Sequence, residues 1–216
     1  VADLEKSVKG GAGHCFLNSG QSCNAPTRML VSAKNYDKAV EVAVATANST
    51  TVGDPNGEFR LGPIANKAQY EKIIKMIEIG IEEGARLVAG GTDKPDGYEK
   101  GYYVKPTVFA DVTNDMTIAK EEIFGPVLCI MKYETEEEAI EIANDSEYGL
   151  SSMISCSDEV KGQEIAKRIR TGQVILNRIS RGDYPAPFGG FKLSGYGREH
   201  GLFGIDEYLE VQAVIT

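Results

Sequence analysis

The chain has 216 residues, 42% of them apolar and 25% charged, a net charge of −9, and no apolar run near the roughly 20 residues of a membrane span. That balance excludes a disordered chain and suits one large domain, with or without an appendage. Acidic residues spread along the sequence exclude the basic face that a nucleic-acid backbone or anionic membrane requires, so the expected partners are small molecules or protein surfaces, with no nucleic acid and no membrane.

In chain order, Val1-Ala2-Asp3 runs straight into a helical pattern without an initiator methionine or a preceding cap segment, which predicts a fragment. The helix is expected to stop at Gly20, acting as its C-cap, inside the stretch FLNSGQSCNAPTR, residues 16–28. MLVSA then reads as a strand, and residues 36–48 as a helix on Ala39, Val40, Ala43, Val44 and Ala47. A third helix starts near Asn66, with Gln69 completing a capping box, and places Tyr70, Ile73, Ile74, Ile77 and Ile81 on one face before Gly84 ends it. ARLVAGG follows as a short buried strand turned by Gly90-Gly91, and residues 92–103 form a turn-rich loop.

VKPTVFADV and VLCIMKY are strands; Thr135 and Glu138 form another capping box, opening a helix over Ala139, Ile140 and Ala143. LSSMISC is a strand, Ser157 and Asp158 open a helix over Ile165, Ala166 and Ile169, and QVILN is a strand. Residues 178–201 hold six glycines and two prolines with little periodicity, and residues 208–216 alternate as an exposed edge strand does. Helices between strands imply crossover connections. The fold class is therefore α/β, a three-layer domain with a largely parallel sheet covered by helices, plus a C-terminal edge strand able to pair with another chain.

The four cysteines, Cys15, Cys23, Cys129 and Cys156, form no CxxC pair and no zinc-spaced cluster, which predicts a reduced, cytoplasmic setting and no metal. Cys15 falls in a helix, and Cys129 and Cys156 fall in apolar strands. Cys23 differs. Its neighbours Ser19, Gln21, Ser22 and Asn24 are too polar for a core, and a loop beyond a helix end offers free backbone amides to a thiolate, the nucleophilic form of cysteine. A bystander surface thiol would have the same sequence. His14 reads as a satisfied helix histidine and His200 as a surface residue, and an acyl hydrolase would need one of them within hydrogen-bonding reach of Cys23.

Three stretches together resemble the NAD(P)-dependent aldehyde dehydrogenases: FLNSGQSCNAPTR resembles their GQxC active-site segment, KEEIFGPVL at residues 120–128 their cofactor-side motif, and PFGGFKLSGYGRE at residues 187–199 their C-terminal loop. The resemblance covers essentially the whole chain. It implies that Cys23 attacks an aldehyde carbonyl to give a thiohemiacetal, that hydride passes to NAD or NADP, and that water hydrolyses the thioester. The oxyanion would be held by the Cys23 amide and an asparagine side chain.

By the same resemblance Glu122 accepts hydrogen bonds from the nicotinamide ribose hydroxyls and Phe124 lies beside the ribose and nicotinamide. Small polar Ser22 and Asn24 leave room for substrate, Asn177 ends a strand at the active site, and Phe188 is the substrate-side aromatic. Arg178, Arg181 and Asp183 make the entrance loop RISRGDYPAP polar. GYGREHG lacks the spacing and context of a dinucleotide fingerprint, so its glycines read as turn and packing positions.

The implied organisation is a catalytic domain over residues 1–200 and an oligomerisation segment over 201–216, whose LEVQAVIT strand would pair subunits into a homodimer or homotetramer. The NAD-binding domain, the general-base glutamate and the oxyanion asparagine would lie upstream, so the 216-residue chain is expected to be inactive alone as a dehydrogenase. A non-catalytic descendant kept as a binding or structural protein is the alternative, besides the hydrolase.

Overall fold

A computed structural model describes residues 3–178 and 185–216, which divide into two compact units, residues 1–145 and 146–216. The boundary expected at residue 200 lies inside the second. The first unit holds α1 (Leu4–Phe16), β1 (Arg28–Ser32), α2 (Tyr36–Ser49), α3 (Lys67–Glu82), β2 (Arg86–Ala89), β3 (Thr107–Ala110), α4 (Thr117–Lys120), β4 (Val127–Tyr133) and α5 (Glu136–Asn144). Its sheet runs β1-β4-β3-β2, parallel between β1 and β4 and between β4 and β3.

Strand alternation sorts β4 between two helical layers. Leu128 and Ile130 pack with Val8, Ala12 and Ala43 of α1 and α2, whereas Val127, Cys129 and Met131 pack with Ile73, Ile77 and Ile118 of α3 and α4. The three-layer expectation holds. Because β4 carries a helical layer on each face, its residues 127–131 are all buried, as a central parallel strand requires. ARLVAGG departs from expectation: β2 pairs antiparallel with β3 alone, so it is a half-buried edge. One neighbour leaves one side open.

The helix starts follow the expected chemistry. Asn66 accepts from the backbone N–H of Gln69 at 2.9 Å and Asp158 from that of Lys161 at 3.0 Å. Thr135 accepts from the N–H of Glu138, whose carboxylate takes the N–H of Glu134 at 2.7 Å, a reciprocal arrangement. In α3, Ile81 is 46% exposed, contrary to its assignment to the core face. Gly80 takes that place because Ile118 approaches so closely that a Cβ there would lie 2.9 Å from its Cδ1.

The second unit contains β5 (Tyr148–Gly149), β6 (Ser151–Ile154), α6 (Glu159–Arg168), β7 (Gln173–Leu176), β8 (Phe191–Lys192) and α7 (Gly201–Asp206). β6 and β7 are parallel, and β5 and β8 antiparallel. The glycine-rich region is closed by a bridge between Phe188 and Glu199, with turns at Gly195 and Gly197 where φ is positive. Two sequence expectations need correction. Cys156 lies beyond the end of β6, and residues 208–216 form no strand: Tyr208, Val211, Val214 and Ile215 stand exposed. The alternation was genuine, but a ladder needs a partner strand. No helix among the described residues is long and apolar enough to cross a membrane.

Candidate active site

The site in the first unit is built on one backbone contact. After α1 ends at Phe16, with Leu17 as its C-cap, Asn18, Ser19 and Gly20 all take left-handed conformations, with φ of 54°, 55° and 69°. Gly20 is thus not the helix cap; it is the last residue of a tight reversal three residues later. A side chain there would overlap the carbonyl of Gly125 and lie 2.6 Å from the nitrogen of Pro126, so the reversal rests directly on the Gly125-Pro126 peptide. Two segments a hundred residues apart in sequence therefore meet without a side chain between them.

Side chains hold the strained residues in place. Ser19 is buried and its hydroxyl donates to the Gly62 carbonyl at 2.8 Å. The Asn18 amide donates to the Gln21 carbonyl at 3.0 Å, and the Gln21 amide oxygen accepts the Ala65 N–H at 2.8 Å while its nitrogen donates to the Asn18 carbonyl at 3.3 Å. Residues 22–25 then form a turn closed by Ala25 N–H to the Ser22 carbonyl at 3.0 Å, with Cys23 and Asn24 at its centre. Ser22 donates to the Asn24 side-chain oxygen at 3.1 Å. Cys23 is exposed, and among the described residues no acceptor takes its backbone N–H. The residue is thus exposed and its N–H unengaged among the described residues.

On the other side of the contact lies the Glu122–Phe124 stretch, gripped by α3. Lys72 donates to the Glu122 carbonyl at 2.6 Å, and the Gln69 side-chain amide donates to the carbonyls of Ile123 and Phe124 at 2.9 and 3.0 Å. Gln69, Lys72 and Ile73 are spaced to share one helix face. Gln69 therefore does not complete the capping box predicted for it; its side chain is used across the fold. Phe124 is half-buried with φ 55°, and a Cβ on Gly125 would lie 2.6 Å from Ile73, so Gly125 is wedged between the cysteine reversal and α3. The Glu122 carboxylate is exposed and in no ion pair among the described residues.

Two of the other thiols, Cys15 and Cys129, are poor candidates. Cys15 is buried and donates to the Val127 carbonyl, and burial pushes its pKa far above the thiol range; Cys129 is buried against the Ile118 carbonyl and is pushed up to about 12 by the same cause. Iodoacetamide is expected to label Cys23 before Cys15 and Cys129 in the folded protein and to reach those two only on unfolding; peptide mass spectrometry checks this, and early labelling of either buried thiol contradicts it. Half-buried His14, its pKa lowered by burial, makes no hydrogen bond to Cys23 among the described residues. His200 lies in the second unit, its ring 6.1 Å from that of Phe188.

Asn177 and Phe188 also belong to the second unit. Asn177 follows β7 with φ 57°, and its side-chain oxygen accepts the Cys156 N–H at 2.8 Å, tying together the ends of β6 and β7. Phe188 pairs through its backbone with Glu199 at 2.8 and 2.7 Å. Arg178 is exposed, and Arg181 and Asp183 lie outside the described residues. Sequence reading missed Gln21 and Gln69 as structural clasps; their polarity beside glycine turns was the only local signal.

A profile described as the aldehyde dehydrogenase family matches residues 1–214. The chain belongs to that family. A 3-succinoylsemialdehyde-pyridine dehydrogenase of a Pseudomonas species is 50% identical over 99% of this chain and 45% of its own length. Aldehyde dehydrogenase C of Pseudomonas syringae, solved with NAD+ and octanal, is 48% identical with a TM-score of 0.94 over 97% of this chain and 43% of that one. An aldehyde dehydrogenase of Mycobacterium tuberculosis solved with NAD+ is 43% identical, with a TM-score of 0.92 over 96% and 43%. The chain thus spans less than half the length of the aldehyde dehydrogenases it matches.

Proposed function

We propose that this chain is the cysteine-bearing part of an NAD(P)-dependent aldehyde dehydrogenase that oxidises an aldehyde to a carboxylic acid, with Cys23 as nucleophile. The observation that carries this reading is the Gly20 contact on Gly125-Pro126, which fixes the exposed thiol's turn against the segment bearing Glu122 and Phe124. The Cys23 thiolate bonds to the carbonyl carbon as the carbonyl π pair moves onto oxygen. The unengaged N–H of Cys23 donates to that oxyanion, and one such donor contributes about 3 kcal/mol. In the last step water adds to the thioester carbon and gives up one proton to solvent, the carbon–sulfur bond breaks, and Cys23 departs as thiolate with the carboxylic acid released.

NAD(P)+, when bound, supplies the acceptor for the hydride that leaves the thiohemiacetal. The residues present suit it: the exposed Glu122 carboxylate offers two acceptor oxygens to ribose hydroxyls on a backbone held by Lys72 and Gln69, beside half-buried Phe124. Ser22, Asn24, Asn177 and Phe188 are assigned to the aldehyde side by resemblance. Residues 1–200 then serve catalysis, residues 201–216 oligomerisation into a homodimer or homotetramer, and the protein works in the cytoplasm. The adenosine-binding domain and the general base come from the part of the relatives' length that this chain does not span.

The test is reduction of NAD+ or NADP+ by the whole protein over a panel of aliphatic, aromatic and semialdehyde substrates. Turnover is expected on at least one aldehyde class, and none from the purified 216-residue chain. A whole protein that oxidises no aldehyde overturns the assignment, whereas a 216-residue chain that forms NADH steadily overturns only the expectation that it is inactive alone.

A further inference from the structure

The cysteine turn is clasped to the chain just ahead of α3, and a single carboxamide forms most of the clasp. Gln21 lies two residues before Cys23. Its oxygen accepts the Ala65 N–H at 2.8 Å, and its nitrogen faces the Asn18 carbonyl at 3.3 Å and the Pro63 carbonyl at 3.5 Å. Ala65 immediately precedes Asn66, the cap of α3, and α3 in turn holds the carbonyls of residues 122–124 through Gln69 and Lys72. Segment 62–65 is itself fixed from behind, because the Ile64 N–H donates to the Tyr102 carbonyl at 2.8 Å.

We infer that Gln21 is a positioning residue for Cys23: its carboxamide sets the reactive turn in register with the α3 N-terminus, and through that helix with the Glu122–Phe124 segment. The inference rests on the reading of Cys23 as nucleophile. Two left-handed non-glycine residues precede it, a geometry disfavoured for ordinary side chains, so something must hold the reversal. Ser19 supplies one hold through Gly62. Gln21, two residues before Cys23, supplies the second hold, to the Ala65 N–H. Without it the turn is free to rotate the Cys23 amide and thiol away from their common side, while Gly20 still fixes the chain behind.

The experiment measures the rate of Cys23 alkylation by iodoacetamide at neutral pH in the whole protein, for the parent, Gln21→Ala, Gln21→Leu and Ser19→Ala, with Tm and circular dichroism recorded alongside. Gln21→Ala and Gln21→Leu are expected to slow alkylation about tenfold at neutral pH, the factor equivalent to one net hydrogen bond, while the fold is retained. Ser19→Ala, more distant from the sulfur, is expected to lower Tm with a smaller effect on rate. Gln21 variants that lose Tm but keep the parent alkylation rate would show a structural role only and overturn the inference. A parent Cys23 that reacts no faster than a thiol in the unfolded chain would overturn the nucleophile reading itself, and the two failures are distinct.

Discussion

Gly20→Ala is expected to destabilise the protein by about 3 kcal/mol or more, the largest stability loss of any single methyl addition in the cysteine turn. Two independent costs combine. The left-handed backbone at φ 69° is strained for alanine, and the added methyl overlaps the Gly125 carbonyl. That carbonyl has little room to retreat, because Gly125 is backed by Ile73 of α3, which is fully buried. Gly13→Ala is the control: nothing lies within 4 Å of a methyl placed there, inside α1, so it is expected to raise stability by roughly 0.5–1 kcal/mol. Chemical unfolding of the two variants measures both, and a Gly20→Ala protein as stable as the parent would mean that the two motifs are not in contact.

The second large effect is on turnover. Cys23→Ala in the whole protein is expected to lower kcat/KM for aldehyde oxidation by at least about 10⁴-fold, as removal of a covalent nucleophile does, while stability stays within about 0.5 kcal/mol of the parent. The thiol is exposed and its removal leaves no cavity. Cys129→Ala is expected to do the reverse. Its sulfur is buried among Ile118, Val127 and Met131, so the folded enzyme retains its turnover number but loses about 1–3 kcal/mol to the void. Steady-state kinetics and denaturation on the same preparations separate the two. Substantial turnover by Cys23→Ala would remove the covalent mechanism.

Much of this was legible in the residues. The caps at Asn66, Thr135 and Asp158, the strands around residues 29, 108, 130, 152 and 175, and the α/β layering follow from local hydrogen-bonding chemistry and apolar period, both of which are written within a few residues of where they act. Cys23 stood out because its neighbours were wrong for a core. What escaped was non-local. Gly20 has the same sequence signature whether it caps a helix or lies flat on a distant peptide, and Gln69 the same one whether it caps or reaches to Phe124. Ile81 and the chain beyond Tyr208 show the converse: the apolar pattern is present, but what it packs against is decided by a neighbour the local sequence does not contain.

The sheet order carries a last implication. β1, β4 and β3 are adjacent and parallel, Cys23 lies five residues ahead of Arg28, and Glu122 five ahead of Val127, so both reactive segments lead into the amino ends of neighbouring strands. Open α/β sheets ordinarily gather their ligands at the opposite, carboxyl rim. With Cys23 and Glu122 in their proposed roles, this protein inverts that habit. Lengthening the chain past Ser32, Ala110 or Tyr133 is therefore expected to leave the proposed chemistry alone, whereas one residue inserted in either approach to the amino rim is expected to shift the sulfur relative to the carboxylate.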